Sequence, residues 1–394
     1  MMHDVLAVRP SRPMASNITN LGGATIDLQG GQYVLSQPIV IPPMYGNLHI
    51  RDGTLQASST DFPKDRWLLE IGHVDQCNPV LPPPPDGKHD PQYSCNEFID
   101  VTMVMFDANF VAAGGVQISR VMGTTLTHVF VTGFRHVGIF IAHGHEVMVT
   151  NAWLAECYWS NTHYCRSDLH SQSVGIRIDG MDHYITNTIV FDFAKVGVQI
   201  WQPANLLEGV HTWNGGGQGI VIGNDASHTT HSVRLLGCYL DYETLDIWDP
   251  TNVVVESTFF YFGHVTLKAG HQARINGLTL RFNHYNTQQS VVLEGNFTNI
   301  KSVSIQEEVD WAKTTLASQR LDLTNATEFA FDFSEQLLFP TIDRISYTLA
   351  SSASLSNGGV SHMAHPPNGT RVTVVTSEPI DATVYMTVEQ GNNY

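Results

Sequence analysis

The chain has 394 residues, of which 42% are apolar and 14% are charged, and its formal net charge is −17 at pH 7. This apolar fraction excludes a disordered chain, and no apolar run is long enough for a transmembrane helix. A nucleic-acid partner is disfavoured, because phosphate backbones are bound by clustered Lys and Arg. The scarcity of charged helix formers, beside many Val, Ile, Thr and aromatic residues, favours a β-rich fold.

The N-terminal segment, the cysteines and the glycosylation sequons bear on the compartment. Residues 1–25 are predicted to lead into the fold as a cap, and they lack the apolar core of a signal peptide. Cysteines that close local loops and several sequons favour an extracellular or cell-wall location. The predicted disulfides are Cys77–Cys95 and Cys157–Cys165, with Cys238 buried and free, and the sequons begin at Asn17, Asn296, Asn325 and Asn368.

Residues 26–308 contain a repeated unit of about 22 residues. Each unit begins with a short apolar strand, as in VGIRIDGMDH from Val174, VGVQIWQPAN from Val196 and QGIVIGNDAS from Gln218, and LDIWDPTN from Leu245 is aligned as the next unit. A polar turn and a second apolar run follow each strand. Short strands at this period, without a helical pattern, predict an all-β fold, a right-handed parallel β-helix in which like residues stack in columns.

Stacking converts the repeat into predicted distances. Equivalent residues of neighbouring turns are expected to lie ~4.8 Å apart. Aligning the second apolar runs by their alternation places Asp192, Asn214 and Asp241 in one outward column, and sets Cys238 beside His211. Asp192 and Asp241 would then be two turns, or ~9.6 Å, apart. This separation is at the edge of the range for the two carboxyl groups of an inverting glycoside hydrolase.

The repeat is lost in residues 309–394. DWAKTTLASQRL is interpreted as a short helix, whereas RISYTLA, TRVTVVTS and TVYMTVEQ alternate as antiparallel strands do. This C-terminal region is predicted to close the open end of the solenoid, because the last turn would otherwise present unpaired strand edges.

A dense acidic segment is the first candidate for catalysis. Asp241, Glu243, Asp246 and Asp249 fall within nine residues of a chain that is poor in charge. Like charges this close raise the pKa of at least one carboxyl, as a general acid requires. The alternative is that some of these residues only cap turns, as Asp before Pro often does.

Other side chains are candidates for the same site. His211 is interpreted as catalytic or orienting, and Asp182 as either part of the site or the holder of its own turn. Trp213 is one of several aromatic residues that would stack on sugar rings if exposed. Lys268 and Arg274 are predicted to bind substrate carboxylates. The HGHE segment lacks the spacing of a zinc motif, so no metal is predicted.

Several segments resemble the plant QUARTET-type polygalacturonases, which are pectin-lyase-like β-helix proteins. They include GHEVMVTN, ANLLEGVHTWN, GCYLDYETLDIWDP and LKAGHQARINGL, and the resemblance runs from about Gly22 to the C-terminal strands. The positions that match the family are Glu146, Asp182, Asn205, His211, Asn214, Asp241, Asp249, Lys268 and Arg274. Asp192 and Glu243 do not match, and the NTD, DD, GHG and RIK motifs of the main polygalacturonase family are absent.

The resemblance and the acidic segment together predict a secreted, cofactor-free glycoside hydrolase. It would cleave pectin or a related uronic-acid polymer, with Asp241 paired with Asp249 or Asp182 as acid and base. Two alternatives stay open, namely a β-helix enzyme on a neutral glycan such as fructan, and a non-catalytic carbohydrate-binding wall protein. The acidic net charge favours a neutral glycan, because polygalacturonate is itself a polyanion. A calcium-dependent pectate lyase is disfavoured, because no basic residue is evident above the acids.

Overall fold

A computed structural model describes residues 14, 18–72, 95–157, 172–193, 195–213, 218–224, 230–287, 289–307, 311–351 and 359–391. These residues form strands and turns, and none of them is in an α-helix. A membrane-crossing helix is accordingly not found in the described part of the chain. Parallel strands occupy the chain as far as Gln306, and antiparallel strands begin at Leu316.

Thirty strands build the parallel part. The first ten are β1 (Thr19–Asp27), β2 (Gln32–Leu35), β3 (Ile39–Ile41), β4 (Tyr45–Ala57), β5 (Trp67–Gly72), β6 (Asn96–Asp107), β7 (Gly114–Ser119), β8 (Val121–Met122), β9 (Thr125–Thr127) and β10 (Phe130–Thr132). The next ten are β11 (Val137–Ala142), β12 (Met148–Thr150), β13 (Trp153–Ala155), β14 (Val174–Ile178), β15 (Tyr184–Thr186), β16 (Ile189–Phe191), β17 (Val196–Ile200), β18 (Leu206–Glu208), β19 (His211–Trp213) and β20 (Gln218–Ile222). The last ten are β21 (Arg234–Leu236), β22 (Tyr239–Asp241), β23 (Thr244–Trp248), β24 (Thr251–Glu256), β25 (Phe259–Tyr261), β26 (His264–Lys268), β27 (Arg274–Arg281), β28 (His284–Tyr285), β29 (Val291–Glu294) and β30 (Asn299–Gln306).

Each turn of the helix consists of three strands joined by corners. In one turn, β14, β15 and β16 lead into β17, which pairs in parallel with β14. We call the three resulting surfaces the first, second and third faces. The first face contains β3, β5, β7, β11, β14, β17, β20, β23, β26 and β29. The second contains β9, β12, β15, β18, β21, β24, β27 and β30, and the third contains β10, β13, β16, β19, β22, β25 and β28. The long strands β4 and β6 run through both of these faces.

The interior consists of the stacked apolar columns that the repeat predicts. On the first face, Ile178 pairs with Ile200, Ile200 with Ile222, and Ile222 with Ile247, and all four are fully buried. Each such side chain stabilises the fold by about 1.5–3 kcal/mol. The parallel β-helix is therefore confirmed, and its stability is spread along the axis, because each turn packs mainly on its two neighbours.

Residues in the left-handed backbone conformation form the corners between the faces. At the corner before the second face, every residue of one stacked column has a positive φ, between 50° and 81°. Six consecutive members of the column are Glu146, Asp182, Ala204, Ser232, Asn252 and Gly277. Glycine, Asn and Asp tolerate this conformation best, whereas a β-carbon makes it costly for Ala and Ser.

The two ends differ in part from expectation. β1 already pairs in parallel with β4, so the helical pairing begins at Thr19, inside the segment 1–25 predicted as a cap. At the other end, β31 (Leu316–Asp332), β32 (Arg344–Ser351), β33 (His362–Ala364) and β34 (Arg371–Glu389) form an antiparallel sheet with its own apolar core. The short helix predicted within DWAKTTLASQRL is wrong. The segment enters β31, because its side chains alternate from buried Ala317 to exposed Ser318 and onwards.

The cysteines agree with prediction where the structure describes them. Cys95 and Cys157 are each disulfide-bonded. Their predicted partners, Cys77 and Cys165, lie outside the described residues, so the pairing stays a prediction. Cys238 is buried and free, as expected, and burial raises the pKa of its thiol to about 11.

Candidate functional site

The outer surface of the third face is lined with aromatic rings. One column runs Phe191, Trp213, Asp241 and Tyr261, so the Asp241 carboxyl stands between two aromatic neighbours. The column beside it contains His211, stacked on Tyr239 with a ring centroid distance of 4.4 Å. Trp213 also stacks on Phe191, at 6.4 Å, and its own side chain is 42% exposed. Exposed rings beside a carboxyl are the surface on which sugar rings stack.

Asp241 and His211 are coupled titratable groups on this surface. They are diagonal neighbours on adjacent turns, whose Cα atoms lie about 8 Å apart from strand geometry. Burial raises the pKa of Asp241, and the nearby imidazole opposes the rise. Burial lowers the pKa of His211, and the Asp241 charge opposes the fall. Asp241 Oδ1 and His211 Nε2 are both buried without a hydrogen-bond partner among the described residues. Both atoms can therefore hydrogen-bond a ligand.

The predicted column of Asp192, Asn214 and Asp241 is corrected. Trp213 pairs with Asp241 and His211 pairs with Tyr239, so the true register lies one residue from the predicted one. Glycine corners fix the register, since Gly209 and Gly237 both have positive φ and a third-face strand begins two residues after each of them. A one-residue slip exchanges inward and outward side chains, which is why Cys238 is buried and Tyr239 faces out. Asn214 lies outside the described residues.

Glu243 is buried inside the helix, close enough to Asp241 for the two carboxyls to interact electrostatically. The alignment of the β23 segment is also corrected, because Leu245 pairs with Ile220 and Gly219 is left as an extra residue in β20. A β-carbon on Gly219 would lie 2.6 Å from both Glu243 Oε2 and Thr212 Oγ1, so these two polar groups occupy the space that the glycine leaves. Burial raises the pKa of Glu243 to about 8, the Thr212 hydroxyl opposes this and the Asp241 charge adds to it.

Replacing Glu243 with glutamine is expected to stabilise the fold increasingly as the pH rises. The pKa of this carboxyl is about 8 in the fold, against an ordinary value of 4.5. Below pH 4.5 both states are protonated, and between pH 4.5 and 8 only the unfolded state ionises. The wild-type chain therefore loses up to about 5 kcal/mol of stability across this window, and the glutamine variant does not. Urea unfolding of both proteins at pH 5 and pH 9 measures the difference, and a parallel pH dependence would contradict the assignment.

Asp249 is placed in a different environment from Asp241. It is 3% exposed, and the backbone N–H groups of Gly270, Gln272 and Arg274 donate to its carboxylate at 3.0, 2.9 and 3.2 Å. The five-residue strand β23 separates it from Asp241 by about 15 Å. The structure therefore does not bring these two carboxyls into one groove, and the contacts of Asp249 are those of a residue that holds a turn.

Asp182 and Glu146 occupy the corner before the second face. They are neighbours in the left-handed column, and the backbone N–H of Glu146 donates to the carbonyl of Asp182 at 3.1 Å. His145 Nδ1 lies 3.2 Å from Asp182 Oδ2. Asp182 precedes the second face, whereas Asp241 ends a third-face strand two turns further along the axis, so these two acids are not brought together either.

Asn205 is a structural residue of the next corner. It is 1% exposed, its Oδ1 accepts from the backbone N–H of His183, and its Nδ2 donates to three backbone carbonyls. Those carbonyls belong to Gly180, Gln202 and Pro203. With its amide engaged in this way, Asn205 ties two neighbouring corners together and presents no free group to a ligand.

Lys268 and Arg274, which are predicted to bind substrate carboxylates, do not lie on the aromatic surface. Lys268 is on the first face, where its Nζ lies 2.9 Å from Asp246 Oδ2 and 3.2 Å from Glu294 Oε2. Arg274 begins β27, and its backbone N–H caps Asp249. These positions separate both cations from Asp241, because the first-face strand β23 and the corner that follows it lie between them.

Sequence reasoning missed two aromatic residues of this surface, namely Tyr261, which pairs with Asp241, and Trp153. Phe191, Tyr239 and Tyr261 line the aromatic surface together with Trp153, which contacts Phe191 edge to face at 5.8 Å. Alternation within WLA, IVF, HTW, YLD and FFY was the available signal, since the middle residue of each triplet is fully buried and the first and third residues lie on the opposite side of the strand. Within the described residues, no three His, Cys, Asp or Glu side chains are grouped to hold a metal ion.

Comparison with known proteins gives one strong sequence relative. The chain is 31% identical over 399 residues to polygalacturonase QRT3 from Arabidopsis thaliana, covering 96% of this chain and 77% of that protein. No protein-family model matches the chain.

Phage tailspike proteins are similar in structure. The tailspike gp49 from Pseudomonas phage LKA1 has a TM-score of 0.50 at 11% identity, over 92% of this chain and 67% of that one. A mutant tailspike of E. coli bacteriophage HK620 in complex with pentasaccharide has a TM-score of 0.51 at 11% identity, over 94% and 87% of the two chains. At this identity the likeness extends to the fold.

Proposed function

The chain belongs to the family of polygalacturonase QRT3, a family of carbohydrate-active β-helix proteins, and on this premise we propose that it is a secreted glycoside hydrolase of a uronic-acid polymer such as polygalacturonate. The observation that carries the proposal is the coupled pair of Asp241 and His211 on an exposed aromatic surface. A desolvated acid beside a desolvated imidazole, next to rings that can hold a sugar, has the parts that glycosidic bond hydrolysis needs.

Asp241 acts as the general acid and His211 as the general base. The protonated Asp241 carboxyl donates to the glycosidic oxygen as the bond from that oxygen to the anomeric carbon breaks. The neutral imidazole of His211 removes a proton from the water whose oxygen attacks the anomeric carbon. Solvent then returns the proton from the imidazolium to the Asp241 carboxylate. Trp213 and Tyr261, on either side of Asp241, hold the sugar rings that flank the cleaved bond.

Secretion is part of the same proposal. The Asn side chains of the three described sequons, Asn296, Asn325 and Asn368, are exposed, as glycosylated residues must be. Asn17 lies outside the described residues. Two bonded cysteines also suit an oxidising compartment.

A substrate panel tests the function. The purified full chain is incubated with polygalacturonate, with carboxyl-reduced polygalacturonate and with inulin, and new reducing ends are measured. Release from polygalacturonate alone supports the proposal. Release from a neutral polymer favours the neutral-glycan alternative, to which the net charge of −17 is better suited. Binding without release from any polymer favours a carbohydrate-binding wall protein.

The rate of hydrolysis is expected to show an acidic, bell-shaped pH dependence. The rate rises with pH as His211 loses its proton, at a pKa below the ordinary value of 6.5. It falls as Asp241 loses its proton, at a pKa above the ordinary value of 3.8. Catalysis needs neutral His211 and protonated Asp241 together, so the rate should peak at an acidic pH midway between the two pKa values and fall on both sides. Initial rates from pH 3 to 9 check this, and an optimum above pH 7 would contradict the roles.

A further inference from the structure

The second face carries a groove that plays no part in the proposed hydrolysis. It has a volume of about 580 Å³ and follows the outer surface of β15, β18, β21, β24 and β27. Its length covers the turns from Ala204 to Gly277, which are three turn spacings, or ~14 Å, apart along the axis. This volume is in the range of sites that hold a small ligand.

The groove opens where the corner side chains become small. Earlier in the same left-handed column stand Glu146 and Asp182, and then the column continues with Ala204, Ser232, Asn252 and Gly277. Ala204 and Ser232 adopt φ values of 62° and 59°, although a β-carbon is unfavourable there. The small side chains leave the backbone as the floor of the groove.

Arg234 supplies the positive charge of the groove. It is exposed, and its guanidinium makes no ion pair with any described residue. On the same face, Arg281 is paired with Glu256 at 2.8 Å, so that carboxylate is already engaged. Glu208, in the adjacent column of the preceding turn, lies beyond ion-pair distance of Arg234. A planar guanidinium without a partner is suited to bidentate binding of a ligand carboxylate.

The rest of the lining suits a sugar. Tyr184 is 40% exposed at one end of the groove, and its ring can stack on a pyranose. Ser232, Asn252 and Thr279 line the groove with hydroxyl and amide groups that can hydrogen-bond sugar hydroxyls.

We propose that this second-face groove is a binding site for an acidic oligosaccharide, with a uronate carboxylate on Arg234 and a sugar ring on Tyr184. The site is separate from Asp241, which lies on the third face, so it would hold a polymer on the protein between cleavage events. The choice of a uronate rests on the proposed function.

Binding of trigalacturonate to the full chain carrying Asp241→Asn tests the site, because this variant should hydrolyse the ligand too slowly to deplete it during a titration. Titration calorimetry should show that Arg234→Gln weakens binding at the groove by about 10–100-fold, the worth of a charged hydrogen-bonded contact. The matched control is Arg320→Gln, an exposed arginine of the C-terminal sheet, which should leave the affinity unchanged. Carboxyl-reduced trisaccharide should bind the parent and Arg234→Gln equally weakly.

The outcomes separate this inference from the proposed hydrolysis. Unchanged trigalacturonate affinity in Arg234→Gln, with an unchanged melting temperature, overturns the groove site. Equal affinity of the parent for charged and carboxyl-reduced trisaccharide also overturns it. If the wild-type chain releases no reducing ends but the Arg234-dependent binding is present, the hydrolase proposal fails and the groove site stands.

Discussion

Replacing Asp241 with asparagine should lower the rate of glycan hydrolysis by about two to four orders of magnitude, the contribution of a general acid. Asparagine has nearly the same shape but cannot donate the proton that the leaving oxygen needs. The fold should not suffer, because the carboxyl is desolvated and its Oδ1 has no hydrogen-bond partner among the described residues. Initial rates on polygalacturonate, with the melting temperature of each protein, measure the two effects separately.

The controls for this substitution are on the same molecule. Glu208→Gln changes an exposed acid at the end of a second-face strand, two residues short of the third-face strand that begins at His211. This change should leave the rate within about twofold, as surface changes usually do. His211→Gln should cost a similar factor to Asp241→Asn, and the double variant should be little worse than either, because the two residues act as a unit. Full activity in Asp241→Asn would move the search to Glu146 and Asp182, the neighbouring acids of the left-handed column.

The fold was predictable because its repeat is visible in the chain. The strands beginning at Val174, Val196 and Gln218 are spaced evenly, and the structure pairs them in that register. Parallel stacking requires like residues at equal intervals, so the interval alone specifies which residues become neighbours. The spacing alone predicts the buried column of Ile178, Ile200 and Ile222, whereas Ile247 joins this column only in the corrected register of β23.

The alignment of the repeats gave the wrong strand register where the repeat changes length. Between Gln218 and Thr244 the chain inserts a longer corner, and Gly219 has no partner in β23. Apolar alternation tolerates a shift of one residue when Cys238 and Leu240 are both apolar, but the shift exchanges the inside and the outside of the strand. The positive φ of Gly209 and Gly237 shows which of the two registers is correct. This φ is a backbone property that the presence of glycine allows but does not specify.

The candidate site was harder to predict because three faces share one short repeat. Asp182, Asp241 and Asp249 belong to nearby turns, yet each lies at a different corner or strand end. Sequence spacing gives the position along the axis, whereas the face depends on where each corner falls. His211 and Trp213 were recognised from their residue types and from the resemblance of ANLLEGVHTWN to the family, whereas the face on which they lie comes only from the structure.

Replacing Asp249 with alanine should destabilise the protein by about 2–4 kcal/mol, because three backbone N–H groups lose their shared acceptor. Asp249→Asn should cost about half as much. Its remaining oxygen can still accept from Gly270 and Arg274, but its amide group opposes the N–H of Gln272. Asp61→Ala, at an exposed turn acid, is the control and should change stability by less than about 0.5 kcal/mol. Urea unfolding measures all three.

Activity separates a turn-holding Asp249 from a catalytic one. If Asp249 only holds the loop of residues 270–274, the folded fraction of Asp249→Asn hydrolyses the glycan at nearly the wild-type rate, with the same pH profile. A catalytic Asp249 would instead leave Asp249→Asn stable and inactive, as Asp241→Asn is expected to be. The surroundings of each carboxyl lead us to expect a structural role for Asp249 and a catalytic role for Asp241. Asp249 has its oxygens engaged by the backbone, and Asp241 has an oxygen with no described partner between two aromatic neighbours.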